Sequence, residues 1–346
     1  MNPQALHYLK LLQAQGSRHP SALDFSAAPA IATTDEEIAQ LVARQRQQYG
    51  ADHSEQFAAH GLHMGYWLQQ LEQDLYQDLL DYCDPAERAL MARLALGFLH
   101  NLRCNACVFP VAPTEDAHKD GAQAATESAT QAPAPLYVMG VNVGLFQMAG
   151  LLCEALLWQA QDDSQRAHAS YLRARDLFFV RSRRDYEAVI LDEEVHPIKQ
   201  QSGEIAALVL RFIALHELGH IALGHVEQLD MQLNALQNDV LYANAAAHSL
   251  PALQAMENAA DRFAIMHMAQ VSGSAQQMWN NTLFICALFH LLDHIEARLG
   301  QPLSQQHPPP ARRAALIQAQ VQDAIGAPPN QAMDWLGSLM QQWKEA

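Results

Sequence analysis

Apolar residues recur at helical spacing along most of the chain. From Ile205 to Leu215 the sequence is mostly apolar and uncharged apart from Arg211, which predicts a buried helix. Leu145 to Ala160 reads as a second apolar helix, and Met278 to Gly300 as a long amphipathic one broken by Gln301-Pro302. Toward the N-terminus, Thr34-Asp35-Glu36-Glu37 starts a helix reaching about Gln48, with Thr33 or Thr34 to cap and acids at the positive end of the dipole. Residues 53–80 and 84–102 read as two more, the second opened by Asp84-Pro85-Ala86-Glu87, a cap with proline in the first turn. The Pro-rich turn at 307–310 starts a final helical pair.

Strand-like runs are few. Leu136 to Val143 is one, and Leu177-Phe178-Phe179-Val180 and Ala188-Val189-Ile190-Leu191 are two shorter β-leaning runs. Residues 111–135 carry no apolar period and end in an Ala/Thr/Gln/Ser/Pro tract, the pattern of a linker or insertion. The expectation is therefore a mainly α protein with a small β-sheet, an α+β fold. Its organisation is a helical N-terminal region over 1–110, a flexible linker at 111–135 and a second domain over 136–346.

Composition narrows the function. The chain has 346 residues, with 21 basic and 37 acidic side chains and a net charge of −16. That balance argues against nucleic acid or anionic lipid as principal partner, because phosphates would be repelled outside any local basic patch. Five cysteines suggest reduced thiols rather than a disulfide framework. The N-terminal residues lack a cationic segment followed by an apolar core, so no secretory signal is read there. Val143 to Trp158, interrupted by Gln147 and Glu154, falls short of a membrane span and is read as a buried helix. Cytoplasmic location is the default expectation.

The chemistry is concentrated in His216-Glu217-Leu218-Gly219-His220. On a helix, His216 and His220 lie one turn apart and present two imidazoles to one ion. Glu217, about 100° round the axis, can reach water on that ion without being a ligand. A catalytic zinc needs a third protein ligand and an open fourth position. Downstream, Glu257 and Asp261 form an i, i+4 carboxylate pair in an Ala-rich helical run. Glu257 could be the third ligand, and Asp261 could accept the free ring N–H of a ligating histidine and fix its tautomer. The alternative is a solvated acidic face. Gly224 sits where a helix C-cap glycine belongs, and the turn there is expected to point His225 away from the ion.

His216-Glu217-Leu218-Gly219-His220-Ile221-Ala222-Leu223-Gly224-His225, followed by Glu257-x-x-Ala260-Asp261-Arg262-Phe263-Ala264, resembles the gluzincin metallopeptidases. Within them it is similar to the soluble bacterial ImmA/IrrE-like and Lit-like (phage-exclusion) peptidases. The resemblance covers roughly residues 203–270. It implies a zincin-like core in which His216, His220 and Glu257 ligate zinc, Glu217 is the base and Asp261 supports a ligand. It also implies a specific protein substrate rather than bulk digestion. His307-Pro308-Pro309-Pro310-Ala311-Arg312-Arg313 is similar to a His-Pro-x-x-x-x-Arg element that follows the metal site in some membrane-bound gluzincins. The β-leaning runs at 177–180 and 188–191 are candidates for the small zincin sheet, whose edge strand pairs with extended peptide.

The expected activity is thus zinc-dependent hydrolysis of peptide bonds in a protein or peptide substrate, with one zinc ion per chain. Glu217 takes the water proton and returns it to the leaving amine. Candidate donors to the oxyanion are His307, Arg312, Tyr242 and His248. Two other classes compete: a zinc-containing regulatory or scaffold protein that binds a partner without proteolysis, and a helical interaction protein with a fortuitous motif. Several further features carry blander expectations. His53, His60 and His63 read as a solvated cluster, Cys104-x-x-Cys107 as small packed residues, and Arg181-Ser182-Arg183-Arg184 as a basic turn. His290 and His294 read as part of a packing helix.

Overall fold

The computed structural model describes residues 1–16, 70–99, 103–111, 134–179, 197–228, 250–303, 307–328 and 331–345. The helix expected at 35–48, the His53, His60 and His63 cluster, the run at 188–191, the basic turn at 181–184, Tyr242 and His248 lie outside the described residues.

Helix α1 (Pro3–Gly16) and the helical residues 70–82, α2, precede a short α3 (Pro85–Met91). The cap of α3 forms as read: Asp84 accepts from the N–H groups of Ala86 and Glu87, and Glu87 accepts from the Asp84 N–H at 2.8 Å. The helix does not continue to residue 102. It stops at Met91 and the chain enters β1 (Leu94–Leu99), buried along its whole length. A continuous apolar run such as Leu-Ala-Leu-Gly-Phe-Leu has neither helical nor alternating period, so only its partners decide its state. Those partners are β2 (Ala106–Val111) and β3 (Leu136–Asn142). The order is β1-β3-β2, with β1 parallel and β2 antiparallel to β3. Strands from both sides of residues 112–133 therefore share one sheet, and two of the three come from the end of the region read as helical.

The two edges of this sheet differ. On β1, the Phe98 N–H donates to Glu72 Oε1 at 2.6 Å, and Gln13 Nε2 donates to the Phe98 carbonyl at 2.9 Å. Side chains from α1 and α2 thus occupy that edge and block further pairing. On β2, Asn142 N–H donates to the Asn105 carbonyl, which sets the alternation: Cys107, Phe109 and Val111 face β3, while Ala106, Val108 and Pro110 face outward. Pro110, with no N–H to offer, sits at an outward position, where an edge strand tolerates proline.

The rest is helical: α4 (Val143–Ala160), α5 (Ser164–Leu177), α6 (Pro197–Ala222), α7 (His225–Gln228), α8 (Leu250–Val271), α9 (Ala275–Leu299), α10 (Pro310–Ile325) and α11 (Ala332–Glu345). Helix α4 is buried, packed on α5 and α6, as its mostly apolar sequence requires. By length and hydropathy α4 and α6 are each apolar enough to cross a membrane, and 78% and 67% of their most apolar windows are buried inside the fold. Helix α6 contacts β2 on one side and α8 on another, and α8 in turn packs on α10. Leu177 ends α5 and Phe178-Phe179 is its turn, so these residues of the run are not a strand, and Val180 lies outside the described residues. On α9, His294 shares a 2.7 Å hydrogen bond with the Tyr171 hydroxyl and stacks on its ring, a packing role. Cys107 is buried with Sγ 3.8 Å from the Gly140 carbonyl, and no disulfide links the five cysteines.

Candidate metal centre

The centre lies where α6 crosses α8. Gly219 sets the approach: a Cβ there would meet Phe263 atoms of α8 at 3.1–3.2 Å. A side-chain-free position between the two histidines lets the helices close until Glu257 reaches both imidazoles. His216 Nε2 and His220 Nε2 are 3.1 Å apart. Glu257 Oε2 stands 3.4 Å from the first, and Oε1 stands 3.5 Å from the second. All three side chains are buried.

These spacings fit a divalent ion. Tetrahedral ligands each about 2.1 Å from zinc lie about 3.4 Å from one another. Two imidazoles and one carboxylate are also the donor set zinc accepts in hydrolytic sites. Glu217 is buried beside the triad; the Val108 N–H of β2 donates to its carboxylate, and Oε2 has no hydrogen-bond partner among the described residues. A buried carboxylate oxygen left in this state fits a place for water or substrate.

The nitrogens facing away from the triad are also engaged. His216 Nδ1 is 2.9 Å from Asp261 Oδ1. Asp261 is gripped by Arg313, whose Nε donates to Oδ2 at 2.9 Å and whose Nη2 donates to Oδ1 at 2.6 Å. Arg313 also lies 3.8 Å from Glu257 Oε2 and over the Phe289 ring. His220 Nδ1 is 3.0 Å from His225 Nδ1. Gly224, at φ 70°, turns the chain back so that His225 starts α7 against the centre instead of leaving it.

Electrostatics follow from burial and these neighbours. Burial opposes charge on His216, but hydrogen bonds and charges from Asp261 and Glu257 outweigh it and drive the ring up to about 10. Burial keeps His220 neutral, pushed down to about 3, and lowers His225 as well. Asp261 would be raised by burial, yet the Arg313 guanidinium holds it at about 2. Glu257 lies well below its ordinary value, because the surrounding imidazoles outweigh its burial. Glu217 moves the other way: burial raises it to about 7.

The structure thus brings together His216, Glu217, His220, Glu257 and Asp261. His307 stands at the rim, one-third exposed, with Nε2 3.8 Å from Glu257 Oε1. Arg312 is exposed, and its neighbour Arg313 is the arginine that turns inward. Two signals could have selected it. Counting His-Pro-x-x-x-x-Arg from His307 ends at 313, and the buried face of α10 is Pro310, Arg313, Ala314, Ile317 and Val321. His225, expected to point away, instead stands behind His220, and Val108 carries no signal in the sequence. The first needed the direction of the Gly224 turn; the second needed the strand pairing.

Comparison with known proteins adds one finding. The family described as Peptidase U49 matches residues 162–324, from α5 to the end of α10, with every residue of the centre except Val108 inside the match. The match indicates a peptidase family. No curated protein and no solved structure was found to match the chain.

Proposed function

We propose that the protein is a zinc metallopeptidase of the gluzincin type, hydrolysing peptide bonds in a protein or peptide substrate. The observation that carries this reading is the convergence of His216, His220 and Glu257 at 3.1–3.5 Å, with the buried Glu217 beside them. The peptidase-family match over residues 162–324 supports it.

His216 and His220 would hold the ion through Nε2, and Glu257 through its carboxylate. Zinc so held supplies Lewis acidity, polarising a scissile carbonyl and acidifying water. Glu217 takes the water proton and later delivers it to the leaving amine. Burial suits it to this, because a carboxyl titrating near 7 both accepts and returns a proton at neutral pH. Extended substrate finds its place alongside β2, whose outward side is not paired to a strand among the described residues; the Val108 N–H there already serves Glu217 and Pro110 has none, so β2 offers a peptide its outward carbonyls and the Ala106 N–H. The closed β1 edge leaves β2 as the side where peptide can add. His307, at the rim, is the described candidate donor for the developing oxyanion.

The test compares full-length wild type with Glu217→Gln on a proteome-derived peptide library. The variant is expected to retain zinc and lose cleavage by at least about 10²-fold, the scale of general-base catalysis. Equal inactivity of two zinc-loaded proteins would instead support a scaffold that binds without cutting.

A further inference from the structure

We propose that His225 is a positioning residue for His220: its Nδ1 accepts the Nδ1–H of that ligand and holds the ring with Nε2 turned to the metal. The inference rests on the zinc reading above and adds a residue outside both the His216–His220 pentapeptide and the carboxylate pair.

The argument begins with proton counting. A neutral imidazole has one N–H, and a ring that ligates through Nε2 must carry it on Nδ1. His220 Nε2 faces His216 Nε2 and Glu257 Oε1, so its Nδ1 is the rear atom. The atom against that rear nitrogen is His225 Nδ1, at 3.0 Å, with both rings buried and their planes 65° apart. Two N–H groups cannot face each other at that distance. His225 must therefore present its Nδ1 lone pair and carry its own proton on Nε2. The contact fixes both tautomers at once.

The mount for His225 is built from both directions. At Gly224 the helix ends, with Leu223 N–H donating to the Gly219 carbonyl and Gly224 N–H to the Ile221 carbonyl. The left-handed Gly224 then starts α7 with His225 folded back under α6. Two residues on, Glu227 accepts from the Tyr137 hydroxyl of β3, which ties the same short helix to the sheet. The ring of His225 is held between two fixed elements.

The two ligating histidines thus have unlike supports. His216 is backed by an anion, Asp261, which needs Arg313 to balance it. His220 is backed by a neutral ring. A carboxylate in its place would add a further negative charge to a buried centre that, among the described residues, already contains Glu217, Glu257 and Asp261 beside the Arg313 guanidinium and the ion itself. An imidazole supplies the acceptor without that repulsion.

The experiment uses the full chain as His225→Asn, His225→Phe and His225→Ala, with zinc affinity measured by chelator competition and metal-free melting as a fold control. Asn places Oδ1 where Nδ1 stood and keeps the acceptor; Phe fills the space without one. Expected are near wild-type zinc affinity for Asn and a 10–100-fold loss for Phe and Ala, the usual cost of removing a partner behind a ligand. Phe or Ala binding zinc as tightly as wild type, or Asn binding as weakly as Phe, overturns the role of His225 and leaves the metallopeptidase reading standing. A wild type that takes up no zinc removes the metallopeptidase reading itself.

Discussion

Single residues at this centre act through charge and hydrogen-bond direction, and Arg313 shows it best. Its guanidinium is buried and makes two bonds to Asp261, which backs His216. Removing it strips the buried Asp261 carboxylate of its guanidinium and leaves His216 as its partner, a loss of about 3 kcal/mol. Arg313→Met is therefore expected to lower unfolding free energy by that order in denaturant titration. Arg313→Lys is expected to recover only part of it, because an ammonium cannot reproduce the two-pronged contact. A Lys variant as stable as wild type would show that charge alone is what Asp261 requires. Much at this scale was legible in the sequence. His216, Glu217 and His220 are fixed by spacing on one helix, and Glu257 and Asp261 by their own i, i+4 pair. Arg312 and Arg313 are adjacent, so apart from the count from His307 it is the rotation of α10 that tells them apart, and that rotation is set by burial of Ile317 and Val321.

At the scale of elements, the sheet is what sequence patterning represents least well. Helices announce themselves through caps and period, as Asp84 does for α3 and Ser274 for α9. The strands β1 and β3 are buried on both faces and carry no alternation, so their pairing across residues 112–133 leaves no mark in the order of residues. The closure of the β1 edge is testable through Glu72, which accepts from Phe98 and is raised by burial to about 7. Its folded-state value lies above the unfolded one, so the protonated form favours folding. That contribution is present below about 4.5 and is lost as pH rises through 7. Glu72→Gln keeps an acceptor and has no charge to bury. It is expected to be more stable than wild type above pH 7 by on the order of 2 kcal/mol, with the difference vanishing toward pH 4.5. Parallel stability profiles of the two proteins between those limits would contradict this account of the edge.

Across the whole molecule, a long buried helix carries the two imidazoles, a second helix brings the carboxylate, and a small sheet leaves one edge beside the base. The helical mass serves chiefly to fix these three against one another: α4 and α5 behind α6, and α9 behind α8 and α10 with α11 packed on α9. Gly219 and Gly224 are the two backbone positions on which the arrangement turns, one by allowing the close crossing and the other by returning His225. The central claim is that His216, His220 and Glu257 bind a single divalent ion. Its most direct measurement is elemental analysis of wild type and Glu257→Ala purified without chelator. One zinc per wild-type chain, with most of it lost from a folded Glu257→Ala, is the predicted result; no metal in wild type, or the same zinc content in both proteins, would contradict it.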